Sequence, residues 1–189
     1  MDEMQAEFIC LGAPGGLLGK PKMGSQALVG AALLLPPFGP SNTVWALTID
    51  AEGLLRQKIQ TWSYQKARKD EFHYKEMHVT SQGLRGILDI AHEIAFRGFP
   101  DIYEEAPVTD DATFWIAIRY ESGVKSVEAY APFWWAARGS QQMLAFLKLW
   151  GAIHQSSPFP SNYNDPDQML GFERKLLAMM MKQGYIWKT

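Results

Sequence analysis

Two stretches of alternating sequence, each folded back on a tight turn, constrain this chain more than anything else in it. Residues 43–50 place Trp45, Leu47 and Ile49 on one side; a turn at Ala51-Glu52-Gly53 follows, and residues 54–64 return with the same period of two. Residues 113–120 set Phe114, Ile116, Ile118 and Tyr120 against Thr113, Trp115, Ala117 and Arg119. The chain turns at Glu121-Ser122-Gly123 and returns over 124–131. A period of two sends alternate side chains to opposite faces, so each stretch is a hairpin of an antiparallel sheet. Residues 72–79 read as a further strand after the charged turn QKARKDE.

Helical periodicity separates and follows these hairpins. Behind a cap at Thr80 or Ser81, Leu84, Ile87, Leu88, Ala91, Ile94 and Ala95 form an apolar stripe, which Gly98 and Pro100 are expected to end. Ser140 caps a helix over 141–154, and Asp165 with Pro166 starts another whose stripe is Met169, Phe172, Leu176, Leu177 and Met180. The pattern predicts an α+β fold: an antiparallel sheet of five to six strands, with three helices packed mainly on one face. The domain spans 43–189. Residues 1–42, where Gly and Pro concentrate, form an arm with one short apolar strand, ALVGAALLL.

That apolar run is about half the roughly 20 residues a membrane-spanning helix needs. It has the length of a secretory core, but Asp2, Glu3 and Glu7 precede it where a signal peptide carries positive charge, so it reads as a buried strand. The single cysteine, Cys10, excludes an internal disulfide and favours a reducing, cytoplasmic setting. With 189 residues, 47% of them apolar and a net charge of −2, the chain is a globular protein with no global field to draw it onto nucleic acid.

The segment GAPGGLLGKPK has the look of a phosphate loop. Its Gly19-Lys20 would end a G-x-x-x-x-G-K-[ST] motif, but Pro14 stands where the first Gly belongs and Pro21 where the hydroxyl belongs. The same Pro14 breaks G-x-G-x-x-G, and no helix can start with Pro21 and Gly24 inside its first turn. Other chemistry is equally incomplete. His92-Glu93 opens H-E-x-x-H, yet the fifth position is Phe96; His73 and His78 lie on opposite strand faces. S-x-x-K occurs at Ser63/Lys66 and Ser122/Lys125 without a helix start behind the serine. Asn162 to Asp167 has the oxygen density of a calcium loop without its Gly and Glu, and helix capping by Asp165 accounts for it. No cofactor and no metal site are expected.

Two features fit a binding surface. Asp101, Glu104, Glu105, Asp110 and Asp111 fall in one loop with no Lys or Arg between them, a surface suited to a basic partner. Phe133, Trp134 and Trp135 follow the second hairpin, and tryptophans in a connecting segment are the type that anchors interfaces. No basic residues interleave with them, which argues against single-stranded nucleic acid.

The runs TVWALTIDAEGLLRQKI, TSQGLRGILDIAHEIAFRGFPDIY and TFWIAIRYESGVKSVEAY together resemble, in layout over residues 43–154, small bacterial α+β proteins that include immunity proteins. The resemblance implies a cytoplasmic, non-enzymatic protein that masks a partner toxin, with the acidic loop suited to a basic one; it carries over no individual residue. The alternatives are a hydrolase assembled from dispersed residues such as His92, Glu93, Asp110 and Asp111, and a structural subunit that oligomerises by a sheet edge or its C-terminal helix.

Overall fold

The computed structural model describes residues 21, 23–35, 41–63, 71–103 and 112–157. The strands are β1 (Ala27–Leu35), β2 (Ser41–Asp50), β3 (Leu54–Ser63), β4 (Glu71–His78), β5 (Ile102–Tyr103), β6 (Thr113–Tyr120) and β7 (Gly123–Tyr130). The helices are α1 (Ser81–Glu93), α2 (Pro132–Ala137) and α3 (Gln141–Gln155), with a 3₁₀ turn at Phe96–Gly98. All seven strands form one sheet in the order β4-β3-β2-β1-β6-β7-β5. The fold is α+β, but the expected five to six strands become seven. The sheet is mixed rather than purely antiparallel, because β5 runs parallel to β7. The added strand is two residues long, too short to show a period of two.

The apolar run expected as a short strand is β1, and it lies at the centre, antiparallel to β2 on one side and to β6 on the other. A strand flanked on both edges and covered on both faces has no wet side chains to alternate, which is why it reads as a continuous apolar run. The first hairpin turns as expected. Asp50 Oδ1 accepts from the N–H groups of Glu52 and Leu54, and Gly53 takes φ +81°. A Cβ on Gly53 would lie 2.6 Å from the Val79 carbonyl oxygen, so only glycine fits.

One face of the sheet carries the core. Val29, Ala31 and Leu33 of β1 stand beside Trp45, Leu47 and Ile49 of β2, Leu55 of β3, Phe114, Ile116 and Ile118 of β6, and Val127 and Ala129 of β7. Leu84, Ile87 and Ala91 of α1 and Met143, Phe146, Leu147, Trp150 and Ile153 of α3 pack onto them. Both caps are made: Thr80 Oγ1 accepts from Gly83 N and Ser140 Oγ from Met143 N. α1 does not run to Gly98. It ends at Glu93, where Ala95 adopts the left-handed conformation at φ 51°, and Phe96 turns back into the core. The segment from Pro132 to Ala137, expected as a connection, is helical with Pro132 at its first turn. The helix expected after Asp165 lies outside the described residues, as does most of the Gly/Pro-rich arm. Among the described residues, no helix is long and apolar enough to cross a membrane.

Candidate functional site

The end of β7 organises the candidate surface. Ala131 takes φ 49° and turns the chain into α2, and its N–H donates to the Ala112 carbonyl at 2.9 Å. Two positions back, Ala129 pairs with Tyr103 of β5. The Tyr103 hydroxyl in turn donates to Gln142 Oε1 at 2.8 Å, tying β5 to the first turn of α3. Burial pushes the Tyr103 phenol up to about 12, so it remains a donor throughout the physiological range. Residues 104–111 therefore leave and rejoin the described structure at the corner from which α2 springs. Glu104, Glu105, Asp110 and Asp111 themselves lie outside the described residues.

Asp101 is described, with its side chain 78% exposed and paired with Lys125 Nζ, which also donates to the Phe99 carbonyl. It neutralises a local lysine at the flank of β7. Ser122, the serine of that S-x-x-K pair, is exposed in its turn.

The three aromatics divide. Phe133 sets its ring edge-on against Phe114 at 5.6 Å, and Trp135 is partly buried against the core. Trp134 packs edge-to-face on Trp135, with ring centroids 4.9 Å apart, and does not join the core cluster. The Arg138 guanidinium lies over its ring, 3.6 Å from the centroid. A cation so placed is attracted by the ring's negative face and holds the indole in one orientation. Arg138 is exposed and was not a candidate from sequence. The signal is its spacing of four from Trp134, which faces two side chains across one helical turn only once 132–137 is known to be helix.

Of the residues proposed for a hydrolase, His92 and Glu93 are described, and Asp110 and Asp111 lie outside the described residues. His92 is exposed in the last turn of α1, and both carboxylate oxygens of Glu93 accept from Lys148 Nζ at 2.7 and 2.8 Å, an inter-helix tie to α3. His78 is exposed on β4, and the side chain of His73 lies outside the described set. His154 lies against Trp45 and Trp150, with ring centroids 5.6 and 6.4 Å away. Burial pulls its imidazole down to about 4. Among the described residues, no three His, Cys, Asp or Glu side chains are placed to hold a metal ion.

No protein-family model matches this chain, and no curated protein does.

Proposed function

We propose that this chain is a non-catalytic protein-binding domain of the cytoplasm that neutralises a basic partner by direct contact, in the manner of the immunity proteins it resembles. The observation that carries the reading is the shared corner. The anchors of the acidic loop, Tyr103 and Ala112, sit on the same strand end that presents Trp134 under Arg138.

A rigidly held indole supplies apolar area with little entropy left to lose, and an adjoining acidic segment steers a cationic surface towards it. Anchors of this kind carry most of the affinity in protein interfaces, each about 2 kcal/mol or more when truncated.

The test is quantitative binding of the tagged chain to proteins of its native cells, followed by the purified partner. Trp134→Ala is expected to weaken the complex by at least about thirtyfold. Asp110→Asn with Asp111→Asn is expected to slow association and flatten its salt dependence. A partner that binds both variants as it binds the parent protein sinks the reading, as does substrate turnover lost on His92→Ala.

A further inference from the structure

Arg138 sets a positive charge on the very ring that a basic partner is to meet, its guanidinium carbon 3.6 Å from the Trp134 centroid. Little besides that ring holds it. Nη1 donates to the Trp134 carbonyl at 3.4 Å, a long bond. Among the described residues, no carboxylate lies within ion-pair distance of it. Other arginines are tied more firmly: Arg56 pairs with Asp50 and Glu76, and Arg119 donates to the carbonyls of Met23, Gly24 and Ala27 at 3.3, 2.8 and 2.9 Å. Arg138 is exposed just past the end of α2, so its side chain can swing into water without breaking an ion pair.

The indole, by contrast, has supports of its own. Trp134 stands at 85° to Trp135 with centroids 4.9 Å apart, and Trp135 is packed on the core. The backbone is tied on both sides, the Trp134 N–H donating to the Ala131 carbonyl at 3.0 Å and the Ser140 N–H to the Trp135 carbonyl at 3.1 Å. Moving Arg138 aside therefore uncovers an aromatic face already shaped to a guanidinium.

We propose that the Trp134 face is a cation site in which Arg138 is a placeholder: an arginine side chain of the partner takes its position on the ring while Arg138 turns to solvent. This rests on the binding function proposed above and names the chemistry of the partner's anchor. An exposed cation on an indole face is held by a factor of only about two to five. Two guanidinium groups cannot share the contact, and like charges brought together there repel. Exchange removes the repulsion. It also replaces a wet contact with one covered by the partner, where the attraction between cation and ring is stronger.

The probe is Nα-acetyl-arginine amide, titrated into the whole protein and followed at the Trp134 indole N–H resonance, with the uncharged Nα-acetyl-citrulline amide as control. The arginine amide is expected to shift this resonance and to return the Arg138 side-chain protons, displaced upfield by the ring, to their free positions. Arg138→Gln is expected to tighten the arginine amide about two- to fivefold, with the citrulline amide leaving the indole unmoved. No shift at Trp134, unchanged or weaker binding in Arg138→Gln, or equal binding of the citrulline amide overturns the proposal. The same variant separates it from the function it rests on. A captured partner that loses affinity for both Trp134→Ala and Arg138→Gln leaves the binding function standing and overturns the exchange. A tighter arginine amide in Arg138→Gln, with no basic partner captured, supports the exchange and removes the function.

Discussion

A histidine laid against two indoles and largely withdrawn from water is held neutral, and this gives His154 a readable consequence. Its folded pKa, near 4, lies below the unfolded value of about 6.5, so between those limits the unfolded chain binds the extra proton. Stability is therefore full above pH 6.5 and falls as the pH drops towards 4. The loss is at most about 3 kcal/mol, and less to the extent that the indole faces attract the imidazolium. Urea unfolding at pH 7.5 and 4.5 measures it, and His154→Gln is expected to shrink the difference. Backbone geometry supplies a sharper case at Gly53. Gly53→Ala meets both a left-handed φ and the Val79 carbonyl, and it is expected to cost about 2 kcal/mol or more in chemical denaturation. Gly30→Val, which pushes into Met23 and Trp115, is expected to cost about 1–3 kcal/mol.

At the scale of elements, what the sequence declares and what it conceals follow from periodicity. The hairpins and the starts of α1 and α3 were legible because alternation and a capping hydroxyl are local properties. Thr80→Ala is accordingly expected to lower stability by about 1 kcal/mol. The end of α1 was misread because Gly98 and Pro100 are the conventional stop signals, whereas the chain stops earlier with Ala95 in the left-handed region. Glycine tolerates that conformation without penalty, so the exposed Ala95→Gly is expected to raise the thermal midpoint, by up to about 1 kcal/mol in stability. β5 and α2 are too short for a period to be seen. Of the candidate surface, Phe133, Trp134 and Trp135 were legible as aromatic, but not their division: only the helical backbone of 132–137 turns Phe133 and Trp135 to the core and leaves Trp134 to Arg138.

At the scale of the whole molecule, the strand order is the least predictable feature. Nothing in residues 27–35 says that β1 will take β6 as its second neighbour, because that choice is made across most of the domain. The apolar run announces burial; the fold decides between what. The same arrangement concentrates the large buried side chains, Trp45, Phe114, Phe146 and Trp150, under the central strands, leaving β4 and β5 as margins where Tyr74, Met77 and Ile102 stay exposed. Threading β1 between β2 and β6 also dictates a timetable during translation. While the chain is still emerging from the ribosome, β1 can settle against β2, but its outer edge must wait for residues 113–118, showing Val29, Ala31 and Leu33 to whatever else is nearby. A polypeptide released at residue 103 is therefore expected to sediment as aggregates where the complete one does not, and closure of this long-range pair is expected to set the refolding rate.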